Sequence, residues 1–272
     1  MNRRGIVAGL VLALAFGVAG SLEGQFNPVN RQQPRGLGVS PTFEGFFQNP
    51  DGTFTLSFGF FNRNTEEILT IPVGPRNFVE PGSIDQGQPT HFSTRRSYGV
   101  FTVTVPATFG ADQRVTWTLE ANGEQYSIPG GFFKAYETDN LHARAVDRRP
   151  PVLVLEPGGV ESRGPNGARI ARTARVGQPL ALSLASWDEW DDEGLEVTLR
   201  WFKQRGPGEV TFNQQVVALG EGATRASTTV SFSEEGDYLL YVRADHSDVR
   251  VSAAGLEQCC WTNGYVSVDV VR

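Results

Sequence analysis

Cysteine is nearly absent from these 272 residues, and the two that occur, Cys259 and Cys260, are adjacent. Sequence neighbours cannot bridge two separate strands, so no disulfide staples one sheet to another. In an oxidising compartment the pair is left with a strained vicinal ring, a bond to another chain, or two buried thiols. Lysine is scarce as well, with Lys134 and Lys203 the only two. The formal charge is −6, and residues 1–20 hold Arg3 and Arg4 but no acid, so their loss takes the chain to −8. That balance leaves no basic stripe and excludes nucleic acid as a partner. The three histidines, His91, His142 and His246, lie far apart, and no pair has metal-ligand spacing. There is no Gly-x-Ser-x-Gly elbow and no His-Glu-x-x-His pair. The Gly/Pro-rich stretch 157–167 is no phosphate cradle, because no Lys-Ser/Thr comes after it. No segment of the first half shows a convincing helical period.

One apolar run does stand out. Arg3 and Arg4 precede Ile6 to Ala19, and Val18, Ala19 and Gly20 offer a cleavage site. The run falls short of the ~20 residues that span a bilayer, so it reads as a cleaved signal peptide over residues 1–20. No cysteine sits near the cleavage point to take a lipid. The expectation is an exported mature chain, periplasmic or extracellular, with no membrane span. Residues 21–40, rich in Gln, Asn, Pro and Gly, read as an extended lead-in.

Beyond residue 40 the chain is dominated by alternation. Phe54, Leu56, Phe58 and Phe60 alternate with small or polar residues after the turn Asn49-Pro50-Asp51-Gly52. Ile68 to Val73, Val100 to Val105, Val115 to Leu119 and Tyr126 to Tyr136 continue the pattern, with Gly74 to Pro89 read as loop. Leu195, Val197, Leu199 and Trp201 form one inward set, and Tyr238, Leu240, Val242 and Ala244 another. Period-two patterning of this kind specifies half-buried antiparallel strands. The class is all-β, divided at the Pro/Arg-rich joint Asp147–Pro151 into a β-sandwich over 41–146 and a second over 147–272.

The stretch Trp201-Phe-Lys-Gln-Arg-Gly206-Pro207-Gly208-Glu-Val210-Thr-Phe212, with Val230-Ser-Phe232-Ser-Glu-Glu-Gly236-Asp-Tyr238-Leu-Leu240 and Ala244-Asp245, resembles the PKD-type, immunoglobulin-like domains of exported bacterial proteins. The resemblance covers about Val176 to Val271. It implies an immunoglobulin-like fold for that part and a spacer or adhesion role rather than an activity; for the whole chain the expectation is two tandem immunoglobulin-like sandwiches. The Trp-Asp-Phe-Gly-Asp-Gly stretch of many members is absent. Gly236-Asp237-Tyr238 falls where a tyrosine corner belongs, and Trp201 where a core tryptophan does. In the first half, Pro89-Thr90-His91-Phe92 and Gly99 to Pro106 resemble segments of uncharacterised exported bacterial proteins, which implies no function.

Chemistry concentrates in two loops. Asp188-Glu189-Trp190-Asp191-Asp192-Glu193 carries five carboxylates, and immunoglobulin-like topology places it at the same end as residues 245–263. Asp188, Asp191, Asp192, Asp245 and Asp248 could supply the oxygens calcium needs, although the spacing is not that of an EF-hand and a solvated acidic turn gives the same pattern. Trp187, Trp190, Trp261 and His246 flank these loops as a binding surface for a protein or a glycan, or as a cover for the core's end. The reading is a non-catalytic interaction or structural protein without a cofactor. Its alternatives are a calcium- or carbohydrate-binding accessory protein and a hydrolase whose site matches no known pattern.

Overall fold

The computed structural model describes residues 33–138, 150–187, 197–220, 224–246 and 261–272. Gln33–Arg272 forms one compact unit built around two hydrophobic clusters, and nearly all its regular structure is strand. The expected signal peptide and most of the lead-in lie outside the described residues, as does most of the joint near 147.

The first cluster is enclosed by β1 (Val39–Gln48), β2 (Phe54–Asn62), β3 (Leu69–Thr70), β4 (Asn77–Glu80), β5 (His91–Phe92), β6 (Arg95–Val105), β7 (Val115–Ala121) and β8 (Glu124–Gly130). They make sheets ordered β1-β2-β6 and β4-β7-β8, with β3 paired to β5. The Asn49–Gly52 turn closes as its sequence requires. Gly52 N donates to Asn49 O at 2.9 Å, and Gly52 takes the positive φ that only glycine adopts without strain. Asn122 and Gly123, both at positive φ, supply the two-residue turn between β7 and β8. Inside, Phe58 and Phe101 stack at 5.3 Å and Trp117 meets Phe101 edge-on at 4.8 Å. Burying each such side chain contributes about 1.5–3 kcal/mol.

Two expectations change here. The strand expected over Ile68 to Val73 shrinks to Leu69–Thr70, because Pro72 has no amide for a ladder and Gly74 turns the chain. The stretch read as loop holds β4, organised by an asparagine. Asn77 Nδ2 donates to Ile71 O and Pro89 O at 2.9 and 2.8 Å, while its Oδ1 accepts from Trp117 Nε1 at 3.0 Å.

The second cluster lies between β9 (Val152–Glu156), β10 (Ala168–Arg175), β11 (Leu180–Trp187), β12 (Val197–Arg205), β13 (Val210–Phe212), β14 (Val216–Ala218), β15 (Arg225–Phe232), β16 (Gly236–His246) and β17 (Trp261–Val271). The sheets run β10-β17-β16-β12-β14 and β13-β15-β11-β9. Pairing is antiparallel except between β10 and β17. A two-sheet sandwich whose last strand lies between an early strand and the penultimate one has immunoglobulin-like order. Trp201 and Tyr238 are 2% and 3% exposed within this core. Tyr238 makes the expected corner, its hydroxyl donating to Glu234 O and accepting from Gly208 N, both at 3.0 Å.

Candidate functional site

On β12, β16 and β17 the faces turned away from the second core also carry large apolar side chains among polar ones, and this decides where the site lies. Tyr241 and Tyr265 belong to the first hydrophobic cluster, with Phe202 and Leu239 packed against it. The outer face of the second sandwich thus packs along a seam on the sheets around the first cluster, here termed the first sandwich, and Gln204, Asp245 and Asn263 are buried polar residues on that face.

Glu44 is buried on the first sandwich's side. The register of β1 against β2 slips between Phe43 and Gly45, so Glu44 is the extra residue of a bulge. Opposite, β2 and β6 slip between Phe58 and Phe60. Bulges re-aim side chains, and here the breaks make a cradle. Arg96 Nη2 lies 2.9 Å from Glu44 Oε1, Gly99 N donates to Oε2 at 2.5 Å, and Thr42 Oγ1 donates to Oε1 at 3.4 Å. Gly59 must lack a side chain, because a Cβ there would stand 2.1 Å from Oε1. The carboxyl is 3% exposed, and burial pushes its pKa up to about 7 against the pull of Arg96, the Gly99 amide and Arg243.

The second sandwich answers with β16 and β17. Asp245 pairs with Arg200, and its Oδ2 lies 3.0 Å from Arg243 Nε, an ion-pair distance too bent for a hydrogen bond. Arg243 lies over the Trp261 ring at 5.0 Å. That ring covers Gly99, whose φ of +53° and missing Cβ let the indole approach; a Cβ would meet Trp261 Cζ2 at 2.3 Å. Asn263 Nδ2 donates to Gly99 O at 2.7 Å and to Pro165 O at 3.2 Å. Burial also pushes the phenols up, Tyr265 to about 12 and Tyr241 further.

Further along, Gln204 is re-aimed by another slip, between Lys203 and Arg205, and donates to Gly87 O at 3.0 Å and Val100 O at 3.2 Å. Its backbone carbonyl accepts from Thr90 N at 3.0 Å. Arg205 reaches both oxygens of Asp85 at 2.7 and 2.9 Å and Gln88 O at 2.8 Å. His91 is half-buried on β5; burial first, and then the Lys203 ammonium, lower its pKa to about 4. Asn166 ties the other end to Thr55 at 2.9 Å.

The residues expected to form a binding tip fall into two groups. Asp188, Trp190, Asp191, Asp192, Asp248, Cys259 and Cys260 lie outside the described residues, as does the side chain of His246. Trp187 ends β11, half-buried. Asp245 and Trp261 are brought opposite one another in the ladder of β16 and β17. Trp261 is 3% exposed against the first sandwich, and Asp245 is buried between two guanidinium groups. Among the described residues no three His, Cys, Asp or Glu side chains cluster as metal ligands. Sequence reasoning misses Glu44. The signal available for it is a carboxylate inside the aromatic run Phe43 to Phe47.

No protein-family model and no curated protein matches the chain. Solved structures resemble it distantly. The D00-D0 domain of intimin gives a TM-score of 0.29 at 9% identity, over 86% of this chain and 100% of that one. The Yersinia pseudotuberculosis adhesin InvE gives 0.27 at 11%, over 85% and 60%. Domains 4 and 5 of the S-layer protein SbsC give 0.26 at 12%, over 62% and 69%. At such scores the likeness carries no argument, and the fold assignment rests on the sheet order and register above.

Among the described residues, no helix is long and apolar enough to cross a membrane.

Proposed function

We propose that the chain is an exported, non-catalytic structural or interaction protein whose two sandwiches present a protein or glycan partner with one fixed orientation. The observation that carries this reading is the seam. Tyr241 and Tyr265 enter the first sandwich's cluster, and Gln204, Arg205, Asn166 and Asn263 bond across it. Sandwiches joined only by a flexible linker would need none of these contacts. A carboxyl shifted toward neutrality can serve acid–base chemistry, but Glu44 is 3% exposed and engaged by Arg96 and the Gly99 amide.

The test pairs two measurements. Spin labels on Thr104 of β6 and Thr173 of β10 should report one narrow distance distribution, where a broad one removes the fixed orientation. A panel of ester, glycoside and peptide substrates should show no turnover; saturable turnover would replace this reading with the hydrolase one.

A further inference from the structure

The first sandwich covers only part of the second one's outer face. Tyr241 and Tyr265 are buried beneath it, whereas Asp237, Ser267 and Asp269 on the same face are exposed. Between the two lies a trough of about 490 Å³, within the ~300–1,000 Å³ of ligand sites, which gather where domains meet. The register lays out its parts. Ala171, Ser267 and Leu239 stand side by side on β10, β17 and β16, and Arg205 of β12 comes next to Leu239. This row is the floor, kept low by the short alanine and serine. One wall is the first sandwich at Gly87, where a Cβ would meet no atom within 4 Å. The other wall holds Asp237 and Asp269, direct partners in the ladder of β16 and β17. Four strands at ~4.8 Å spacing make the floor about 14 Å long.

Like charges directly opposite in a ladder repel. Among the described residues, neither Asp237 nor Asp269 has an ion pair or a hydrogen bond to relieve this. Arg169, at the β10 end, lies over the Tyr265 ring at 4.3 Å and pairs with no carboxylate among the described residues. Arg172 bonds only to backbone, at Ala171 O and Pro157 O. Arg205 is already matched by Asp85 at 2.7 Å. Two carboxylates and two guanidinium groups remain, so the lining has no net charge yet offers acceptors on one wall and donors at one end. An acidic or a basic polymer would meet like charge here. A peptide strand needs a sheet edge for its main chain, and this is a face. An apolar ligand would find half-buried Leu239 and little else. The group that uses such a lining fully is one that both donates and accepts, a hydroxyl.

We propose that this trough binds an uncharged oligosaccharide, whose hydroxyls donate to Asp237 and Asp269 and accept from Arg169 and Arg172. The proposal rests on the reading of the chain as an interaction protein and chooses the glycan as its partner.

The test uses the full chain, isotope-labelled for NMR, with four neutral pentasaccharides: cellopentaose, chitopentaose, maltopentaose and mannopentaose. At least one should shift the amides of Ala171, Ser267 and Asp269 saturably and leave those of Phe101 and Leu119, in the first core, in place. Asp237→Ala combined with Asp269→Ala should weaken that binding about ten-fold or more, because charged acceptors are lost. Ala171→Trp fills the floor from an exposed position and should abolish binding with the far-UV circular dichroism unchanged. No shift with any of the four sugars overturns the proposal, as does binding that spares the three trough amides. Tighter binding of tetragalacturonate or pentalysine than of every neutral sugar overturns it too. The parent's own shift map decides even where a variant fails to fold. A narrow distance distribution between Thr104 and Thr173 without sugar binding removes the glycan site and keeps the fixed sandwiches. A broad distribution removes both, because the trough takes one wall from each sandwich.

Discussion

Single atoms carry much of this fold. Tyr238→Phe takes the hydroxyl from the corner and leaves the buried Gly208 N–H without its acceptor. An orphaned buried donor costs about 1–3 kcal/mol, so a urea melt should show a loss of that size with an unchanged m-value. Asn77→Ala removes both donors and the acceptor for Trp117 Nε1 at once, and about 3 kcal/mol or more is expected. Glycines separate by environment. Gly99→Ala drives a methyl into the Trp261 ring at a positive φ, whereas Gly52→Ala has the positive φ but no atom within 4 Å. The first should cost about 2–3 kcal/mol and the second about 1 kcal/mol, compared by denaturant midpoints.

At the scale of strands, the seam depends on interruptions of the ladder. Slips beside Glu44, Gly59 and Gln204 turn residues that pleating would otherwise leave in sequence-determined positions. Gln204→Ala should therefore lower stability by about 1–2 kcal/mol, through two lost bonds to the first sandwich, and should raise amide exchange at Thr90 more than at Trp117. The inward sets around Trp201 and Tyr238 are legible in the sequence, because alternation registers which residues share a face. The partner of the opposite face is not. Phe202, Leu239, Tyr241 and Tyr265 hold the relevant signal, since large apolar residues on both faces of β12, β16 and β17 mean a sheet covered twice. Glu44 is hidden for a related reason: a lone acid in an aromatic strand reads as the solvent side until another sheet is laid over it. Trp261 is hard to place for the same reason, its neighbourhood being set by Gly99, more than a hundred residues distant in the chain. Strand β10 escapes notice because its small Ala168 and Ala174 face the core while arginines punctuate the pattern.

For the molecule as a whole, the shared cluster makes a face of the second sandwich part of the first one's interior. Equilibrium unfolding should then be one cooperative transition, with near-UV circular dichroism and far-UV signal superimposing; two resolved steps would mean that the seam contributes little. The parallel pairing of β10 with β17 has a mechanical side. Eight consecutive register pairs run from Ala168 and Gly264 to Arg175 and Val271. Tension entering at the start of β10 and leaving at the end of β17 pulls along this zipper rather than across it, so its bonds must rupture together instead of peeling one by one. A chain tethered at its C-terminus should resist stretching at the strand that anchors it.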